Sequence, residues 1–200
     1  MKRKTNVRRM TQLALLMAIV LIMAFTPLGY LNTPWGVSIT FIVIPVAVGS
    51  VVLGPGAGAF LGLVFGLTSL INAPRSAMGA AMLQISLFRT VLGCIFPRVL
   101  TGLIPGLLYR WVKRFRIGQA ICCLLTPLLN TLLFMVTSWL IFSEYWLTAS
   151  ANLGYAGGAG LGLLGFMFAS VAVNGIAEAI CCLLLGTAVC RALHHAFPEE

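Results

Sequence analysis

The stretch VSITFIVIPVAVGSVVLGPGAGAFLGLVFGLTSLI, residues 37–71, decides what kind of molecule this is. It has no acidic or basic side chain, and it sits inside a longer run, residues 10–74, that has no charged residue at all. About 20 consecutive apolar residues carry an α-helix across a bilayer. Residues 10–74 therefore suffice for three short, tilted passes. The breaks within the run place them. Thr26-Pro27-Leu28-Gly29 and Asn32-Thr33-Pro34-Trp35-Gly36 are turn-rich, with an interfacial Trp, and end a first span predicted over residues 10–31. A second span is predicted over 37–53. Gly54-Pro55-Gly56 is a tight break, so a third, over 57–71, returns as an antiparallel hairpin.

Beyond this run the pattern changes. Residues 72–89 mix Pro74, Arg75, Ser76, Gln84, Ser86 and Arg89 with Ala and Met, and read as a long non-spanning segment holding a short interfacial helix. A fourth span is predicted over 94–111, ending in the basic patch Lys113-Arg114-Phe115-Arg116. A fifth follows over 118–142, then the aromatic interface signature Ser143-Glu144-Tyr145-Trp146 and a Gly-rich stretch to Gly165. A sixth is predicted over 166–193. The fold expected is an all-α integral membrane protein, a single bundle of six helices over residues 10–193. A basic cytoplasmic tail, 1–9, precedes it and a short tail, 194–200, follows. Six passes put both termini on one side. The basic N-terminus, the basic loop after the fourth span and Arg191 then all fall inside, as basic residues next to apolar spans do. The longer loops at Asn32, Asn72 and Glu144 fall outside, and long loops tend to carry function.

Composition narrows the function. Of 200 residues, 60% are hydrophobic and 8% charged, against about a quarter charged in soluble domains. A net charge of +9 invites nucleic acid, but the basic residues cluster at the ends of apolar segments, where they meet lipid headgroups. The apolar run after the basic start has no small-residue cleavage site, so it reads as a retained helix and not a signal peptide. There is no Asp, and the only carboxylate side chains are Glu144, Glu178, Glu199 and Glu200. No His-Glu-x-x-His, Gly-x-Ser-x-Gly or phosphate loop occurs. Neither enzymatic activity nor a metal or cofactor is expected, and no ATPase fits in this chain. The six cysteines, two adjacent pairs among them, lack zinc spacing and read as small apolar residues at lipid depth. Gly160-x-Gly162-x-x-Gly165 matches a dinucleotide fingerprint in letters only, with no strand before it and no acidic residue at the right distance.

Four constellations remain. Ala14-x-x-x-Ala18 makes a flat stripe on the first helix, fit for internal packing, the plainer reading, or for docking a partner. Gly54, Gly58, Gly62 and Gly66, with Gly102 and Gly106, point to close packing of the third and fourth helices within the chain. Glu178 lies in the sixth span, one turn after Asn174; a carboxylate at that depth must face the protein interior and find a partner, with Arg98 or Arg89 as candidates. Arg98, Asn130, Asn174 and Glu178 then make a polar substrate site on three helices, or a structural ion pair that fixes packing. Arg89 can reach substrate from the outside and Trp139 can line a pocket mouth, though aromatics at this depth often serve as belt anchors. Arg75 suits lipid headgroups, and His194 and His195 are interfacial.

These features resemble the substrate-specific (S) subunits of energy-coupling factor (ECF) transporters over nearly the whole chain. Ala14-x-x-x-Ala18 is similar to the docking motif of that family's first helix. Ile39-Thr40-Phe41-Ile42-Val43-Ile44-Pro45, Leu53-Gly54-Pro55-Gly56-Ala57-Gly58-Ala59 and Gly62-Leu63-Val64-Phe65-Gly66-Leu67-Thr68-Ser69 resemble the second and third helices of one branch, and Pro97-Arg98-x-x-x-Gly102 its fourth. The resemblance implies a bacterial plasma-membrane protein that binds a water-soluble vitamin at its outer face. It then docks through its first helix on a membrane coupling protein with two cytoplasmic ATPases, and topples to release its cargo inside. The Thr26-Pro27-Leu28-Gly29 and Leu53-Gly54-Pro55 contexts look most like members associated with pantothenate; folate, riboflavin and hydroxymethylpyrimidine stay open. Competing readings are a self-sufficient secondary transporter or channel using Glu178 for ion coupling, a lipid-modifying enzyme with Glu178 or Cys94 as catalyst, and a helical scaffold.

Overall fold

A computed structural model describes residues 2–26, 29–32, 38–115, 117–152, 165 and 175–196. In chain order the elements are α1 (Lys2–Phe25), β1 (Tyr30–Asn32), β2 (Ser38–Thr40), α2 (Val43–Val52), α3 (Pro55–Asn72), a 3-10 turn (Ala73–Arg75), α4 (Ala77–Ile85), α5 (Leu87–Val112), α6 (Gly118–Ile141) and α7 (Ser143–Asn152). The last helix, α8 (Gly175–Ala196), includes a π-wound turn at Cys182–Gly186. Among the described residues, α1, α3, α5, α6 and α8 are long and apolar enough to cross a membrane. Large apolar side chains point outward along them, including Leu15 and Ile22 on α1, Phe96 on α5, Leu132 and Leu140 on α6, and Ile180 and Leu184 on α8. An apolar exterior of this kind matches hydrocarbon, not water.

The second span is the main correction. In place of a helix over 37–53 the chain forms a two-stranded antiparallel ladder, Tyr30 opposite Thr40 and Asn32 opposite Ser38, followed by the 10-residue α2. Pro45 supplies the reason. Continued toward residue 37, the helix would set the Pro45 ring against the Phe41 carbonyl, and Ile39 and Thr40 favour extended backbone. At 1.5 Å per residue, α2 is about 15 Å long, half a hydrocarbon core. Protein covers it on all sides: Val43 and Pro45 through Val51 are buried, which is the condition for irregular backbone at membrane depth. So α2 is the centre of the core, packed with Leu16, Val20 and Ala24 of α1, Leu61 and Phe65 of α3, Cys122 and Cys123 of α6, and Cys182 and Cys190 of α8. Four cysteines read as lipid-depth residues are therefore core residues.

Other boundaries also shift. Helix α1 runs back to Lys2, so the basic segment is helical. Helix α5 begins at Leu87, which takes Arg89 into its first turn. Between α2 and α3 the chain reverses at Gly54, whose φ of 97° is open to glycine, and Pro55 starts α3 at a position where its missing N–H costs nothing. Ser76 caps α4 by accepting the Gly79 N–H at 3.1 Å.

The glycine stripe packs α3 against α5, as its spacing indicates. A β-carbon on Gly58 would overlap the Gly102 carbonyl oxygen, one on Gly62 would overlap that of Arg98, and one on Gly66 would stand 2.9 Å from the Ile95 Cα. The two backbones touch directly along three turns, and one contact point is the backbone of Arg98.

Candidate functional site

Arg98 is placed by a local defect in its own helix. Pro97 has no N–H, so the Gly93 carbonyl one turn earlier loses its helical partner. The guanidinium of the next residue takes that carbonyl: Arg98 Nη1 donates to Gly93 O at 3.0 Å. The same guanidinium lies over two rings, 4.5 Å from the Phe134 centroid and 5.7 Å from the Phe65 centroid. Each ring face is attracted to a cation, most of all away from water. Gly62 backs the Arg98 carbonyl, α3 supplies Phe65 and α6 supplies Phe134, so three helices hold this cation.

Asn130 lies one turn from Phe134 on α6 and is buried, and its Oδ1 has no hydrogen-bond partner among the described residues. Glu178 is buried on α8. Its Oε1 accepts the backbone N–H of Thr40, the last residue of β2, at 2.6 Å, and its Oε2 has no partner among the described residues. Gly175 sits against Thr131, since a β-carbon there would stand 3.5 Å from Thr131 Oγ1. Glu178, less than one turn further along α8, thus comes level with Asn130. Arg98 lies within electrostatic reach of Glu178. The result is a buried polar group built from α5, α6 and α8 and closed from the hairpin side by Thr40.

Of the residues singled out from the sequence, Arg98 and Glu178 lie within electrostatic reach of each other, and Asn130 is buried on α6, the helix that supplies Phe134 to Arg98. Asn174 lies outside the described residues. Arg89 is exposed at the start of α5. Trp139 is 41% exposed on α6, and the aromatic that turns inward is Trp146, whose Nε1 donates to Ser138 Oγ at 2.8 Å. Trp146 joins Phe142, Met135, Met78 and Met82 in a second apolar cluster under α4 and α7, against which Phe134 packs. Phe134 therefore links this cluster to Arg98. Arg75 donates to Asn72 Oδ1 at 3.0 Å and is exposed. Among the described residues no group of His, Cys, Asp and Glu has the makings of a metal site.

Sequence reasoning missed Thr40, Phe65 and Phe134. Phe134 carried a signal, lying four residues after Asn130 and so on its face. Thr40 carried none, because the contact that brings its backbone N–H and its hydroxyl to Glu178 spans 138 positions of chain.

On α1, Leu16, Val20 and Ala24 face the core, whereas Ala14 and Ala18 are exposed. The small-residue stripe points away from the bundle. Internal packing, the plainer reading of its spacing, is thereby corrected.

A family profile described as "ECF transporter, substrate-specific component" matches residues 8–189. The chain is 31% identical to the pantothenic acid transporter PanT of Lactococcus lactis subsp. cremoris (strain MG1363), over 97% of each chain. It is 29% identical to the pantothenate transporter PanT of Leuconostoc mesenteroides subsp. mesenteroides, over 86% of this chain and 85% of the relative.

Proposed function

This chain belongs to the substrate-specific components of ECF transporters, and we propose that within that family it captures pantothenate at the outer face of the bacterial plasma membrane. The observation that carries this reading is the buried group of Arg98, Asn130 and Glu178. A guanidinium over two rings suits an anionic vitamin, and buried polar atoms without partners among the described residues suit a ligand that completes them. The two PanT relatives support the choice of vitamin.

The topology that goes with this function has six passes over residues 10–193, the hairpin and α2 together forming the second. Both termini are then cytoplasmic, and residues 194–200 form a short tail. Arg8 and Arg9, then Arg110, Lys113 and Arg114, then Arg191 are exposed and fall on the inner side. The outward stripe of Ala14 and Ala18 is the docking face for a membrane coupling protein that carries two cytoplasmic ATPases. Its sequence carries no phosphate loop, and the chain acts as a binding subunit that draws its energy from the coupling module.

The test uses the purified chain in detergent and in liposomes. Equilibrium dialysis with labelled pantothenate is expected to give binding by the chain alone, in a range near 1 nM, about −12 kcal/mol. Uptake is expected only with the coupling module present. Ala14→Trp is expected to bring uptake to background while the Kd stays within about twofold, as for a surface change remote from the ligand. Uptake by the chain alone, or equal loss of binding and uptake in Ala14→Trp, contradicts the proposal.

A further inference from the structure

Two buried acceptor atoms, Glu178 Oε2 and Asn130 Oδ1, lack partners among the described residues, and their side chains are 5% and 6% exposed. An unsatisfied buried acceptor is unfavourable, so a ligand that brings hydrogen-bond donors removes that cost on binding. A carboxylate brings none. The anionic end of a ligand therefore belongs at Arg98, on the α5 side beside Phe134, and the end carrying hydroxyls belongs at Asn130 and Glu178, on the α6–α8 side.

We infer that Glu178 and Asn130 are the hydroxyl-reading half of the site: Glu178 Oε2 and Asn130 Oδ1 accept from the two hydroxyl groups of the pantoyl end, while Arg98 takes the carboxylate of the β-alanine end. This rests on the pantothenate reading and goes beyond it by fixing the direction in which the vitamin lies and the atoms that select it. Glu178 has a second duty in this arrangement. Its Oε1 already holds the N–H of Thr40 at the end of β2, so the carboxylate that reads the ligand is also the one that pins the hairpin.

The experiment is a cycle of protein variants against ligand analogues, read by isothermal titration calorimetry. N-(3,3-dimethylbutanoyl)-β-alanine keeps the amide and carboxylate of pantothenate and lacks both hydroxyls; pantothenol keeps the hydroxyls and lacks the carboxylate. The wild-type chain is expected to prefer pantothenate over the dideoxy analogue by at least about 100-fold, since a site built to bond hydroxyls rejects their loss strongly. Glu178→Gln leaves a carbonyl oxygen for Thr40 and puts an NH2 where Oε2 stood. It is expected to weaken pantothenate roughly 10- to 100-fold, to leave the dideoxy analogue nearly unchanged, and so to collapse the preference. Asn130→Leu is expected to lower the same ratio, and serves alone should Glu178→Gln fail to fold. Arg98→Gln is expected to weaken pantothenate and the dideoxy analogue alike and to spare pantothenol. A preference that survives both Glu178→Gln and Asn130→Leu overturns the inference while leaving pantothenate capture intact. A wild-type chain that binds no pantothenate overturns both.

Discussion

The α3–α5 pair and the α6–α8 pair both hold this bundle together, and they do so in opposite ways. Along α3–α5 the contact is backbone on backbone: Gly58 meets Gly102, Gly62 meets Arg98 and Gly106 meets Pro55. No side chain stands between the helices at those points, and none has to find a rotamer. Along α6–α8 the contact is made of side chains. Gly175 meets Thr131, Gly186 meets Cys123, and the Cys123 and Cys190 Sγ atoms lie 4.0 Å apart. The first pair is a rigid wall that cannot hold a ligand, because it has no room. The second keeps Asn130 and Glu178 with acceptor atoms that α6 and α8 leave unused. A protein that must keep polar groups inside a closely packed bundle needs each kind of wall. Arg98 stands where the two meet, with its backbone in the glycine seam and its guanidinium in the site.

The strongest way to break this contrast is to put a side chain into the glycine seam. Gly102→Val forces a β-carbon into the Gly58 carbonyl, where backbone has to move, and is expected to cost more than about 3 kcal/mol. Thermal unfolding in detergent should show loss of folded protein, and a variant of near wild-type stability would mean that the seam is looser than described. Arg98→Gln comes next. The seam survives, since only the side chain changes, but a charged ligand contact is lost. Pantothenate affinity is expected to fall by about 2 kcal/mol or more, at least about 30-fold, with a smaller change in melting temperature. Equal loss of stability and affinity would make Arg98 a structural cation. Ser138→Ala has the smallest expected effect. It removes the partner of Trp146 Nε1 in the second apolar cluster, costs about 1 kcal/mol and should leave the Kd nearly unchanged, which shows whether that cluster supports the site or merely covers it.

Much of the first wall was legible in the sequence. Glycine at four-residue spacing on two helices has few explanations at lipid depth other than backbone approach, and the tight break at Gly54-Pro55-Gly56 already set α2 and α3 side by side. The second wall was only partly legible. The rule that an ionisable group in a span faces the interior pointed to Glu178 and Arg98, and Asn130 joined them as the polar residue of α6. Trp139 was chosen by residue type, and helical phase turned it outward. Thr40 and the hairpin were hidden because residues 37–53 are apolar enough for a span. Hydropathy does not register that Pro45 stops a helix from continuing backwards.

The sequence by itself determined the solvent of this protein, the approximate positions of its apolar segments, the seam between α3 and α5 and the family it resembles, because each follows from local composition or spacing. Only the tertiary structure decided that Ala14 and Ala18 face away from the bundle, that the cysteines of α6 and α8 lie in the core, and that a backbone N–H of Thr40 reaches Glu178 across 138 positions of chain. Those facts depend on rotation about helix axes and on contacts between distant segments, which packing of the whole bundle sets and no single window of sequence contains.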